Sequence, residues 1–283
     1  MKKILITGVN GYIGRKVVQA FVDSGWTTDK LLLVDMGPES LVPGGTYMQM
    51  NVLDYAADTD LYSRLGEPEY VLHLAWQDGF NHNAASHLHN LESHFLFLRN
   101  MVDAGCSSIS VMGTMHEVGY WEGAITENTP CNPQSMYGIA KNALRQATLA
   151  YCAGKPVSVK WLRAYYITGD DASSRSIFSK ILDWEAEGKE TFAFTTGRNL
   201  YDFIDVNTLA YQIMLASVQN TVEGIINVCS GQPTSLKDKV EQFIAEKGLR
   251  IRPEFGAFPD RPYDSPGVWG DAGKINMIMT QTK

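Results

Sequence analysis

Tyr137 and Lys141 stand four residues apart in the run "SMYGIAKNALRQATLAYCA", which reads as helix. At that spacing a phenol and an ammonium leave the same helical face. A lysine held beside a tyrosine favours the phenolate by charge and draws the phenol down from its ordinary pKa of about 10, toward the working range of an acid or base. Such pairs also occur on ordinary helix surfaces, so the meaning of this one rests on the elements that position it.

Those elements begin with "KILIT", a short apolar run ending at Thr7 that reads as a strand. Gly8-Val9-Asn10-Gly11-Tyr12-Ile13-Gly14 follows, and then a helical pattern. Strand, glycine turn and helix in that order let backbone approach a pyrophosphate and aim helix N-terminal N–H groups at it. The spacing is G-x-x-G-x-x-G and not the commoner G-x-G-x-x-G. The next strand, "KLLLVD", ends at Asp35. A carboxylate there can accept from both hydroxyls of an adenosine ribose and would repel a 2′-phosphate, which favours NAD over NADP while leaving NADP possible.

Further strands are expected over 44–53, ending at Asn51 and Val52, over 69–75, over 107–114 and over 156–163. Strands alternating with helices at this spacing predict a parallel, doubly wound α/β sheet. Thr114 ends the fifth strand, where open α/β sheets place ligands, and its hydroxyl can bond the oxygen that Tyr137 protonates. The polar, turn-rich "WEGAITENTPCNPQ" suits the rim of a site. The sixth strand is expected to close this half near Arg163. Beyond it, helices near 174–188, 206–219 and 234–247 and the tail "RPEFGAFPDRPYDSPGVWGD" predict a smaller lobe lying over a ligand. The expected division is 1–165 for the dinucleotide-binding part and 166–283 for a substrate-binding lobe partly interleaved with it.

Composition narrows the function classes. A chain of 283 residues with net charge -7 and no basic block is not built to grip nucleic acid, which needs Lys and Arg against phosphate. No stretch reaches the roughly 18 apolar residues of a membrane span. The N-terminal apolar run breaks at Gly8 and Asn10 and reads as a strand, not a leader. Cys106, Cys131, Cys152 and Cys229 show no paired spacing, so the expectation is a cytoplasmic protein with reduced thiols. His82, His87, His89 and His94 are numerous enough to raise a metal site. His87 and His89 fall on different helical faces, however, and no carboxylate completes a set, so a partly exposed polar face is expected and no metal.

Taken together, "TGVNGYIG", Asp35, "VLHLAW" at 71–76, Thr114, the Tyr137/Lys141 pair, "WLRAYYITG", "LYDFIDVNTLA" and "INVCSG" resemble the extended short-chain dehydrogenase/reductase family, in its nucleotide-sugar epimerase/dehydratase branch. The resemblance implies a Rossmann-like sheet, NAD as cofactor, a nucleotide-sugar substrate and a homodimer through the helices near 85–104 and 134–154. It implies Tyr137 as acid/base, Lys141 on the nicotinamide ribose, Thr114 as the family's Ser/Thr, and Gly8, Gly11 and Gly14 around the pyrophosphate. Asn51 and Val52 would meet the adenine edge, with Leu74 and Ala75 beside the cofactor. Trp76, His116, Tyr166, Arg198 and Arg261 would face the substrate.

Two departures bear on the reaction. The family's 4,6-dehydratases follow the Ser/Thr with Asp and Glu, whereas Thr114 precedes Met115 and His116. Methionine cannot transfer a proton, which disfavours dehydration and leaves hydride chemistry. Tyr166 replaces an asparagine that approaches the sugar phosphate in relatives. The expectation is a reductase acting on a 4-keto deoxysugar nucleotide; the alternatives are a 4-epimerase and, further off, a non-catalytic dinucleotide-binding regulator.

Overall fold

The structure, a computed structural model, describes residues 2–169, 176–260 and 264–281. The first part runs β1 (Ile4–Thr7), α1 (Tyr12–Asp23), β2 (Leu31–Asp35), β3 (Thr46–Gln49), α2 (Leu61–Arg64), β4 (Tyr70–His73), α3 (Ser86–His89), α4 (Leu91–Asp103), β5 (Ser108–Thr114), a 3-10 turn (Met115–Glu117), β6 (Gly123–Ile125), α5 (Met136–Cys152) and β7 (Ser158–Ala164). The second runs β8 (Tyr166–Thr168), α6 (Ile177–Ala186), β9 (Thr191–Ala193), β10 (Leu200–Asp205), α7 (Val206–Val218), β11 (Gly224–Val228), β12 (Pro233–Ser235), α8 (Leu236–Lys247), β13 (Arg252–Glu254), β14 (Gly267–Gly270) and α9 (Gly273–Gln281).

β1 is apolar at consecutive positions because both its faces are covered. Ile4 and Ile6 pack with Val17, Val18 and Phe21 of α1 and with Leu209 and Ile213 of α7. Leu5, pointing the other way, packs with Phe97 and Met101 of α4 and Leu144 of α5. The seven strands pair in parallel in the order β11-β7-β5-β4-β1-β2-β3. Strand order reverses between β1 and β4, so the crevice for a ligand opens beyond their carboxyl ends, at Gly8 and Leu74.

β7 does not close the sheet as expected. β11, from the far side of the sequence, pairs along it from Gly224↔Lys160 to Val228↔Ala164. All seven residues of β7 are buried, Trp161 and Arg163 among them, a composition unsuited to an open edge. β3 also ends before the expected Asn51, because Asn51 Oδ1 turns back to accept from Leu53 N at 3.3 Å. A second sheet, β12-β10-β14-β6 with β8 against β10, lies beside the carboxyl ends of the first and carries the tail. No helix among the described residues is long and apolar enough to cross a membrane.

Candidate active site

At the carboxyl end of β1, Gly8 adopts φ +74, and a Cβ there would stand 2.7 Å from Ala75 Cα. The turn therefore threads backbone against backbone at the switch point. The N-terminus of α1, starting after Gly11, has no side-chain cap, which leaves its N–H groups directed at a ligand. A groove of about 500 Å³ follows, lined by Thr7, Gly8, Asn10, Gly11, Asp35, Asn51, Val52, Leu74, Ala75 and Trp76. Asp35 Oδ2 accepts from Asn10 N at 3.0 Å and Oδ1 from Gly37 N at 3.2 Å, so the carboxylate is held rigid with lone pairs to offer a ribose. Gly14 is buried behind this wall, Ile13 packs into the core, and the Tyr12 hydroxyl lies against Gly169. These three shape the turn from behind. The donor set and the uncapped helix fit a dinucleotide.

Tyr137 and Lys141 occupy the first turns of α5. Ser135 caps that helix by accepting from Gly138 N at 3.2 Å. The helix reaches the 3-10 turn because Gly138 lacks a side chain: a Cβ would lie 2.3 Å from His116 O. The approach brings the Tyr137 hydroxyl into hydrogen-bond contact with Thr114. Burial raises the Tyr137 pKa above its ordinary value, with the Thr114 hydrogen bond opposing and the Glu117 charge adding. The phenol is thus protonated in the protein alone.

Lys141 does not sit against that phenol. Its ammonium donates to Met112 O at 2.7 Å and lies 3.7 Å from the centre of the Trp76 ring. Burial lowers it to about 7, against an opposing pull from Glu117.

A second cavity, about 660 Å³, opens on the other side of Tyr137 and is lined by His82, Met115, His116, Tyr120, Trp121, Ser135, Tyr166, Tyr201, Asp264 and Val268. Its apolar floor is the Met115, Val118, Ile125, Tyr165 and Val268 cluster. The Tyr137 ring touches a wall residue of each cavity: it lies edge-on to Trp76 at 6.1 Å and stacked on His82 at 5.2 Å. His116 sits 4.5 Å from His82, and burial lowers it to about 4, so both histidines present neutral rings. Of the expected substrate residues, His116 and Tyr166 line this cavity. Trp76 lines the dinucleotide groove, Arg198 is exposed between β9 and β10, and Arg261 lies outside the described residues.

His82 is half-buried and His89 exposed, as a partly exposed polar face would have them, but His87 and His94 are 1% exposed, which corrects the expectation for these two. Each has a partner that makes burial tolerable. His87 accepts the Trp76 indole N–H at Nδ1, 3.0 Å, and bonds Asn81 O through Nε2 at 2.8 Å. His94 Nδ1 lies 2.8 Å from His73 Nε2, and His73 Nδ1 lies 2.8 Å from Thr7 Oγ1. Burial drops His73 to about 3 and His94 to about 2. Among the described residues no group of three or more His, Cys, Asp or Glu is placed to hold a metal ion.

His73 and Glu117 are site residues without a place in the sequence expectations, and His82, expected only on a polar face, joins them. His82 belongs to a loop without periodicity; it arrives because its carbonyl accepts from Tyr137 N at 2.9 Å, covering the start of α5. Glu117 had a local signal, the T-x-x-E of a capping box, and both halves of that box are formed.

The site can be set beside known proteins. A family model described as the NAD dependent epimerase/dehydratase family matches residues 4–229. The dTDP-6-deoxy-L-talose 4-dehydrogenase (NAD(+)) of Aggregatibacter actinomycetemcomitans is 47% identical over 270 residues, covering 94% of this chain and 98% of its own. A probable UDP-arabinose 4-epimerase of Oryza sativa subsp. japonica is 26% identical over 324 residues, covering 99% of this chain and 75% of its own. In fold, the chain matches a UDP-glucose-4-epimerase from Stenotrophomonas maltophila solved with NAD and formylated UDP-arabinopyranose, with TM-score 0.83 at 19% identity over 99% of this chain and 93% of the other. The glycine turn, the parallel sheet and a model match over most of the chain lead to one conclusion: the chain belongs to the NAD dependent epimerase/dehydratase family.

Proposed function

We propose that this protein is an NAD-dependent oxidoreductase that interconverts the 4-hydroxy and 4-keto forms of a dTDP-linked 6-deoxyhexose, with reduction of the 4-keto sugar as its working direction. The observation that carries this reading is Tyr137, hydrogen-bonded to Thr114 and touching both cavities, in a chain 47% identical to a dTDP-6-deoxy-L-talose 4-dehydrogenase. NAD, when bound, accepts or supplies the hydride. Gly8, Gly11, Asp35, Asn51 and Val52, which line one groove, would hold it, and the Asp35 carboxylate would disfavour NADP.

Tyr137 gives its proton to the oxygen on carbon 4 as that oxygen gains charge, and takes it back in oxidation. Thr114 hydrogen-bonds the same oxygen and stabilises the phenolate left behind. Lys141, when charged, would offset that phenolate and bond the nicotinamide ribose. Met115 offers no proton-transfer group, which supports hydride exchange without elimination. The reading includes a homodimer through α4 and α5, supported by the exposed Met136 and Ile139 at the start of α5.

Purified protein mixed with a dTDP-4-keto-6-deoxyhexose and NADH should lose reduced-nicotinamide absorbance one for one with sugar converted. A 4-epimerase is the second reading, favoured by the 26% identical arabinose epimerase. It would interconvert two hydroxy sugars with no net loss of NADH. Dinucleotide binding with neither outcome across keto and hydroxy nucleotide sugars would leave the non-catalytic regulator.

A further inference from the structure

Trp76 stands three residues beyond His73 at the end of β4, and its ring is fixed from more than one side. The indole N–H is tied to His87 at 3.0 Å, and the ring stacks on His94 with centroids 4.4 Å apart and planes 14° from parallel. His94 is in turn held by His73, and His73 by Thr7. An indole held this way presents a surface that cannot swing aside without breaking its hydrogen bond to His87 and unstacking from His94.

Lys141 is 3% exposed, and it meets that surface. A buried ammonium ordinarily needs a carboxylate. The carboxylate whose charge reaches this one, Glu117, is already engaged with Arg163 at 3.2 Å and Trp161 at 2.7 Å. Two neutral partners remain, the Met112 carbonyl and the π face of Trp76. A desolvated ammonium over an indole is the strongest form of cation–π contact.

We infer that Trp76 is a positioning residue for Lys141, whose indole face holds the ammonium charged and aimed within the buried site. This rests on the reading that Lys141 serves the reaction. The other titratable groups whose charge reaches the lysine are His73 from β4, His94 from α4 and Glu117 from the 3-10 turn, while Tyr137 lies one turn back on α5. His73 and His94 stay neutral throughout the working range, so Trp76 is the contact whose removal leaves the surrounding charges as they were.

The test is direct titration of Lys141 by NMR in cofactor-free protein labelled at the lysine ε-carbon, the signal assigned with Lys141→Met. Trp76→Leu should lower the Lys141 pKa by about one unit or more and Trp76→Phe by less. The alkaline limb of kcat/KM should move down by the same amounts. Fluorinated tryptophans placed at 76 keep the indole's shape while draining its π charge, so they test the point if Trp76→Leu fails to fold. The Lys141 pKa should fall stepwise with fluorine number. A pKa that ignores both fluorination and Trp76→Leu overturns the inference, whatever happens to KM. Full turnover in Lys141→Met would overturn the functional reading instead, with the titration still deciding the contact.

Discussion

Glu117 Oε1 accepts the backbone N–H of Thr114 at 2.8 Å, so the residue that meets the Tyr137 hydroxyl is held by a carboxylate three positions on. The same carboxylate takes the Trp161 indole N–H at 2.7 Å and Arg163 at 3.2 Å, and all of it is buried. Glu117→Gln keeps the shape and removes the charge, leaving the Arg163 guanidinium uncompensated. Loss of one partner from a buried ion pair costs about 3–5 kcal/mol. Urea unfolding should show that loss, and kcat should fall with it as Thr114 loosens. An unchanged unfolding midpoint would sink the assignment.

Tyr137→Phe removes the proposed proton donor and leaves the ring that packs between Trp76 and His82. Turnover should drop by about 10²–10⁴-fold while NADH binding is retained. Because burial holds the wild-type phenol protonated, the oxidative direction should gain more from rising pH than the reductive one. Stopped-flow rates in both directions across pH decide this.

Gly138→Ala carries an expectation opposite to helix propensity. Alanine in a helix ordinarily gains about 1 kcal/mol over glycine. Here the new Cβ would meet His116 O at 2.3 Å and Pro133 Cβ at 3.0 Å, forcing α5 away from the 3-10 turn. Both Tm and kcat should fall, the second through the Thr114–Tyr137 contact.

His73, His94 and His116 make the fold sensitive to mild acid. Burial lowers them to about 3, 2 and 4, against an unfolded value of about 6.5. Above pH 6.5 both states are neutral and the stability is whole. Below it the unfolded chain binds protons that the native state refuses, and stability falls by about 1.4 kcal/mol per pH unit for each histidine until its native value is reached. Unfolding midpoints measured between pH 7 and 5 should show this decline before the carboxylates titrate. His94→Gln should make it shallower.

Asp35→Ala should raise the Kd for NADH by about 10–100-fold, the worth of hydrogen bonds to a charged group. It should also narrow the preference over NADPH, since the charge facing a 2′-phosphate is gone. Calorimetry with both dinucleotides reads the two effects together.

The sheet and the glycine turn were legible in the sequence because they depend on local signals: continuous apolar runs such as "ILIT", buried on both faces, and glycines at a strand-to-helix turn. The Tyr137/Lys141 spacing was legible as a shared helical face, but the object the ammonium meets was not. Trp76 lies 65 positions before Lys141, and its orientation is set by His87 and His94 across three elements. His87 and His94 misled for the same reason: a polar residue reads as exposed until its long-range partner is known. β11 escaped the reading of the cofactor half because pairing with β7 spans 64 residues, from Lys160 to Gly224, and strand pairing leaves no mark in spacing.

That late pairing governs the order in which the chain can mature. β7 emerges during synthesis with one flank bare, and α7, whose residues 209 and 213 fill the core beneath β1, has yet to follow. The nascent dinucleotide half must therefore wait, with an open hydrogen-bonding ladder, until Val228 is delivered. Cutting the gene after residue 165 would yield an adhesive sheet edge and a hollow core in place of an autonomous module.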